Sequence, residues 1–466
     1  MREALVPYRY RWPRETVAGL RGWTEIDGGR FHERRLPESA EELHGDSRWP
    51  AFFPSAQCLA TTGNDRAPVL EKIVGASIVN RFPYVLAVSV CRERLSARHY
   101  VRREFMEELE ACGTAAVQFL PPGEALDRAM GAIAADDGEG AGERLRRAGL
   151  PTRRAVTTTS PVFEDAYLVY EVRFARPGVD FEGRPVYERP WADVGSHRVY
   201  FLEITAIQLR QDIAAGHRQI RWRSLPVWTP SDGGTAAPTP ADDASSGRYQ
   251  KGYTPHYAFP SAGTIAFEAD DVREGMAVKL LPSEPADQVE VDNDRARWPC
   301  FFPSSVGMIT TWTPDGRPNL MPCGSTTVVS RQPLVITPCV SYAAVNERYA
   351  PRASLELIRK SGAFACGVPY IDDAIVHAIK YAGNNSLAVG PDKLARTGLR
   401  VAAGEWAPLL PDLPVSFECR VAGEIRLGTH VMFLGEVERI VVRADVTPAN
   451  HLEWCPWADI ARLDES

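Results

Sequence analysis

No Cys-x-x-Cys pair occurs in the 466-residue chain; its nine cysteines, an odd number, are scattered. That spacing argues against both a disulfide framework and a clustered zinc site, leaving the thiols as small buried hydrophobes of a reducing compartment. No uninterrupted apolar run approaches the roughly 18 residues of a membrane span. The opening segment, MREALVPYRYRWPRE, has no apolar h-region, so no secretory signal is expected and the cytoplasm is the expected location. A net charge of −7, with both signs interspersed, leaves no basic footprint for nucleic acid. No Gly-x-Gly-x-x-Gly opens a βαβ unit, so a dinucleotide-binding doubly wound fold is not expected. What remains is an ordinary globular composition, 44% hydrophobic and 24% charged, long enough for two or three domains with real cores.

What is present is a duplication. WPAFFPS at Trp49–Ser55 returns as WPCFFPS at Trp298–Ser304. Arg81-Phe82-Pro83, Arg98, Arg102 and Gly195-Ser196-His197 follow the first copy; Arg331-Gln332-Pro333, Arg348, Arg352 and Gly428-Thr429-His430 follow the second. The offset is 249 at the tryptophans and 250 at the prolines, falling to 233 only at the histidines, after an extra stretch in the first copy. A period near half the chain means two homologous domains rather than a solenoid. Each copy also has a leader: Tyr10-Arg11-Trp12-Pro13 and Leu36-Pro37 in the first, Tyr257-Ala258-Phe259-Pro260 and Leu281-Pro282 in the second. Between the copies, Thr229–Gly247 contains no aromatic and nothing larger than Thr or Asp, the composition of a flexible linker. As a coil it reaches about 20–25 Å, enough for side-by-side docking. The expected units are therefore residues 1–228, a linker at 229–247, and 248–466.

The second copy reads mostly as β. Strands are expected at Val306–Thr311, Asn319–Pro322, Leu334–Pro338 and Phe364–Val368, with a turn at Pro314-Asp315-Gly316 and a long hairpin of Val415–Ile425 and Val431–Val442. Short helices are expected at Ala353–Ser361 (ending at Gly362), Ile371–Tyr381 and Pro391–Arg396. Many strands with a few crossing helices imply a small barrel.

Four segments in order give the second copy a family resemblance: TTWTPDGRPNLMPCGSTTVVSRQPLVI at Thr310–Ile336, PRASLELIRKSGAFACGVP at Pro351–Pro369, DKLARTGL at Asp392–Leu399, and PVSFECRV with GTHVMFLGEV at Pro414–Val421 and Gly428–Val437. Together they resemble the flavin reductase-like, FMN-binding split-barrel family. The first copy shows the same outline at lower fidelity. The resemblance implies a mainly β fold with short helices, two tandem FMN-binding split β-barrels forming a pseudo-dimer within one chain, with further homodimerisation open. It implies FMN, with FAD as the alternative, and NAD(P)H as co-substrate. The cofactor-binding residues it points to are Asn319, Gly324, Ser325, Thr326, Thr327, Ser330, Arg331, Arg352 and Ser354, with the guanidinium, hydroxyl and helix start at 352–354 meeting the phosphate. A Ser/Thr run on a strand is otherwise a solvated face, and an Arg at a helix start is otherwise merely exposed; the family order favours a site.

His430 is the candidate catalytic residue, near flavin and nicotinamide in the resembled family; the alternative is a turn histidine bonded to its own hairpin. The first copy departs at the expected ligand contacts: Val69 replaces Asn319 and Glu104 replaces Ser354, so its cleft is expected to have lost flavin, leaving about one per chain. The basic cluster Arg98, His99, Arg102 and Arg103 is expected as a solvated helix face, with Arg98 or His99 a candidate loan to the second cleft. The Trp-Pro-x-Phe-Phe text reads as core or interface. The leading expectation is an NAD(P)H:flavin reductase-like oxidoreductase, supplying reduced flavin to a partner monooxygenase or reducing a small organic substrate itself. The alternatives are a haem-binding split barrel, with His430 or His197 as axial ligand, and a non-catalytic flavin-binding protein.

Overall fold

The protein is represented by a computed structural model describing residues 9–36, 52–64, 68–93, 103–134, 141–233, 255–259, 267, 269–282, 302–342, 352–387 and 393–462. Trp49, Pro50, Arg98, His99, Arg102, Trp298, Phe301, Arg348, Pro391, Asp392 and linker residues 234–247 lie outside these, and so does any reading placed on them.

The apolar alternation of each copy folds into a curled antiparallel sheet, one of ten strands and one of nine. In the second copy Gly307–Trp312 and Pro318–Cys323 pair as a hairpin around Thr313, whose hydroxyl accepts from Arg317 N at 2.9 Å while Gly316 takes φ +79°. Ala363–Val368 then bridges that hairpin to the long pair Val415–Arg426 and His430–Arg443. Thr114–Phe119, Leu168–Phe174 and His197–Arg210 repeat this arrangement in the first copy. The architecture is a pair of split β-barrels with short helices across their ends.

Neither barrel is closed by its own leader. Phe31–Arg35 pairs with His430–Arg443 of the second copy, and Met276–Leu280 pairs with His197–Arg210 of the first. The exchange is symmetric in register: Leu36 N bonds Glu438 O at 2.8 Å, and Leu281 N bonds Thr205 O at 2.9 Å. The outer strands follow suit, Tyr10–Trp12 on Leu452–Trp454 and His256–Phe259 on Arg218–Arg223. The repeated leader text thus marks arms that each copy gives to the other. Phe302 extends the exchange into the core, its ring 5.7 Å from both Phe119 and Tyr170 of the first copy. One continuous apolar core therefore runs through both halves.

Three sequence expectations change. Of the helix expected at Pro391–Arg396, the described part, from residue 393, leads into a 3₁₀ turn at Ala395–Thr397, closed by Gly398 at φ +74°. The helix expected at Ile371–Tyr381 runs Asp373–Asn384, because the Asp372 carboxylate caps it by accepting from Ala374 N and Ile375 N. The start of the expected free linker is docked: Ser231 N and Oγ both donate to Asp445, and Asp232 pairs with Arg443 at 3.1 Å. Helix Ala353–Ser361 ends as expected, with Gly362 at φ +64°. No helix among the described residues is long and apolar enough to cross a membrane. The eight described cysteines are free thiols, and no metal-ligating cluster occurs among the described residues.

Candidate flavin site

Asn319 and Ser354 arrive together. Asn319, 1% exposed on its strand, donates from Nδ2 to Ser354 Oγ at 2.9 Å in the first turn of helix Ala353–Ser361. Across the ladder from Asn319 stands Thr311, whose buried hydroxyl has no partner. Arg352 is the residue before that helix; its backbone N donates to Ser341 O at 3.1 Å and its Nη1 to Gly383 O at 3.3 Å. Ser341 in turn faces His430 across paired strands. Asn319, Arg352, Ser354 and His430 are thus joined through a single chain of neighbours.

A fifth residue, not singled out by the sequence reading, joins them. Lys393 is 5% exposed; its ammonium is pushed down to about 7, first by burial and second by the charge of Arg352. Two cations within electrostatic reach of each other, one starved of water, form a place that an anion relieves. Lys393 lies within the DKLARTGL segment, so a signal existed; what sequence lacks is the fold that turns the ammonium inward beside Arg352. The cluster, with the helix start at 352–354, suits a phosphate. Thr311 and Thr327 offer buried hydroxyls without partners, and a polar ligand edge can meet such groups. The residues present therefore fit a ligand with a phosphate and a polar ring edge, as a flavin nucleotide has.

The expected strand-edge residues divide. Gly324 is exposed and Ser325 half-buried at the turn, with Ser325 O accepting from Cys339 N at 3.2 Å. Thr326 Oγ1 is spent on Cys323 O, while Thr327 is buried with its hydroxyl unpartnered. Ser330 and Arg331 are not beside Arg352. They line a cavity of about 520 Å³ in the first copy's cleft, together with His197, Gly75 and Trp12. The reason is the path of the strand: the end of Thr326–Arg331 lies against the first copy, with Ser330 Oγ 3.4 Å from Ser196 Oγ and Val329 O accepting from Ser89 Oγ at 2.6 Å.

The two glycine-histidine turns explain why both copies keep Gly-Ser/Thr-His. Each turn sits against the other half. A Cβ on Gly195 would come within 2.4 Å of Gln332 O and 2.6 Å of Ser330 Oγ; one on Gly428 would meet Asn80 Nδ2 and Phe82 O at 3.2 Å. Only glycine allows that approach at φ +51° and φ +100°. At the second turn, Asn80 Nδ2 donates to Pro83 O, and Asn80 Oδ1 accepts from both Thr429 N at 2.8 Å and Thr429 Oγ1 at 2.7 Å. These partners fix the amide's orientation. With its only proton given to Asn80, Thr429 Oγ1 must accept from His430 Nδ1, 2.7 Å away. Neutral His430 is therefore the Nδ1–H tautomer, with Nε2 as its basic nitrogen. His430 is 8% exposed, and its Nδ1 contact is to the neighbouring Thr429 of its own turn.

Residues 299–456 match the family model described as the flavin reductase like domain. The second half thus contains a segment similar to that domain. No curated protein matches the chain. Among solved structures, flavoredoxin from Methanosarcina acetivorans is 23% identical over 29% of this chain and 67% of its own, with TM-score 0.26. Flavoredoxin of Desulfovibrio vulgaris (Miyazaki F) is 26% identical over 30% and 69%, with TM-score 0.25. Nitrilotriacetate monooxygenase component B from Bacillus cereus is 20% identical over 40% and 96%, with TM-score 0.30.

Proposed function

We propose that the chain is an FMN-dependent oxidoreductase in which NAD(P)H reduces flavin held in the second-half cleft. The observation that carries this is the grouping of half-buried Arg352 with buried Ser354 and Lys393 at a helix start, inside the segment that matches the flavin reductase like domain. FMN, when bound, supplies the hydride-accepting chemistry. The chain's own residues do the rest. Arg352, Ser354 and Lys393 hold the phosphate; Asn319 positions Ser354; Thr311 and Thr327 meet polar edges of the ligand. His430 orients the donor and manages a proton at Nε2, its Nδ1–H being tied to Thr429. Reduced flavin then serves a partner monooxygenase or a small organic substrate. The repeat units are assigned as 1–228 and 248–466, joined by 229–247, each barrel being completed by the other's arm.

Absorption spectra of the purified chain and its NAD(P)H oxidation with and without added FMN test this. A flavin spectrum with FMN-dependent oxidation is expected. A haem spectrum, or flavin binding with no nicotinamide oxidation, overturns it.

A further inference from the structure

The cavity in the first copy's cleft is built from both halves. Its floor is Ile73–Gly75 and its far wall Val328–Arg331; Trp12, Phe52 and Phe53 supply flat aromatic surface. The Trp12 and Phe52 rings stack at 5.8 Å with 26° between planes, and both line the cavity. At about 520 Å³ the cavity falls in the usual range for small-molecule sites.

Its charge is one-sided. Among the described lining residues four are cationic, the exposed Arg11 and Arg14 and the half-buried Lys72 and Arg331. Glu71, the one lining carboxylate among the described residues, is buried and already engaged, accepting from Lys72 N at 2.8 Å and facing Arg144 at 3.6 Å. Two polar contacts of the second cleft are replaced, however: Val69 is apolar where Asn319 stands, and Glu104 is an exposed carboxylate in the first turn of helix Arg103–Cys112 where Ser354 stands. Among the described residues the site keeps ring walls and positive charge, while a carboxylate stands where the second cleft has the Ser354 hydroxyl.

We propose that this cavity binds a planar aromatic carboxylate, not a flavin nucleotide. The ring lies along Trp12 and Phe52, and the carboxylate meets the guanidinium and ammonium groups. His197 and Cys91, paired across strands at the cavity wall, bring the ligand against the first Gly-Ser-His turn, which rests on Ser330 and Gln332 of the second half.

Calorimetric titration of the full chain with benzoate and salicylate, and with uncharged benzamide as control, tests the proposal. One saturable site per chain is expected, with benzamide binding at least tenfold more weakly. Val74→Trp, which fills the cavity, should abolish benzoate binding while FMN binding is retained. Arg11→Glu, an exposed change that leaves packing alone, should weaken it about tenfold, and this reads the proposal even if Val74→Trp fails to fold. Absence of heat with either acid, equal binding of benzamide, or indifference to Arg11→Glu overturns it. Displacement of benzoate by a second equivalent of FMN also overturns it, by making the cavity a flavin site. None of these readouts depends on NAD(P)H oxidation, so failure here is separate from failure of the proposed reductase activity.

Discussion

The two glycine-histidine turns hold equivalent places and are wired differently. At the second, Asn80 reaches across from the first half, takes both the backbone and hydroxyl protons of Thr429, and thereby settles where the His430 proton sits. At the first, Ser330 replaces that amide, 3.4 Å from Ser196 Oγ in a contact where either oxygen can donate. Ser196 also accepts from Gln332 N at 3.2 Å, so its hydroxyl proton is free to go to Ser330 or His197. An amide has separate donor and acceptor ends, whereas a hydroxyl rotates to suit its neighbours. One turn is a fixed proton arrangement and the other an adjustable one. The first half's extra stretch widens the difference. Leu168 matches Val415 at an offset of 247 through their long-strand partners, but the histidines match at 233, so the added residues fall after Phe174. They place Tyr187 OH on Leu427 O at 2.7 Å and Asp180 on Arg426 at 3.0 Å, bracing the second turn only.

The largest effect expected from breaking this relation is on the shared core. Phe302→Ala should cost about 3–5 kcal/mol of stability, whereas Phe53→Ala, the half-buried equivalent, should cost clearly less. Denaturant melts of the two variants check this; a single transition in both would show that the halves unfold together.

Next in size is the phosphate assignment. Arg352→Ala, or Ser354→Glu to mimic Glu104, should weaken FMN by about 1.5–3 kcal/mol, roughly tenfold to more than a hundredfold. Fluorescence titration measures it, and unchanged affinity in either variant would remove phosphate from this cluster.

The Lys393 ammonium sharpens the same point through pH. An anion restores its proton, so FMN affinity should fall by up to tenfold per unit as pH rises above about 7. Without ligand the sign reverses. The folded-state value is depressed below the unfolded 10.5, the unfolded chain binds more protons between about 7 and 10.5, and stability rises there by up to about 1.4 kcal/mol per unit. Lys393→Met should flatten both trends; if wild type and variant run parallel, the ammonium does not face the anion.

The smallest effect should come from Asn80→Ser, which rewires the second turn to resemble the first. A loss of about 1 kcal/mol, roughly fivefold in NAD(P)H turnover, is expected with flavin content unchanged. Nitrogen NMR of His430 should show the Nδ1–H tautomer losing its dominance. Retention of that tautomer would mean that Thr429 alone orients the ring.

Much of this architecture was written in local text. The repeat register, the turn at Pro314-Asp315-Gly316, the helix stop at Gly362 and the pairing of Asn319 with Ser354 all follow from residues whose preferences act over a few positions or through one barrel's pleat. Local preference also misled where a cap outweighed it, as Asp372 did for the following helix. What sequence could not decide was which half each segment serves. Phe31–Arg35 and Met276–Leu280 carry no mark of their destination, because an edge strand's hydrogen bonds are satisfied equally by either long strand. Ser330 and Arg331 look like members of the second cleft until the crossing of the halves turns them into the first. The His430 tautomer depends on an amide 350 residues upstream, and the acidity of Lys393 on the water that packing removes. The chain alone determined the two barrels and the chemical types available to each cleft. Tertiary structure decided their ownership, because burial and hydrogen-bond satisfaction are set by neighbours in space.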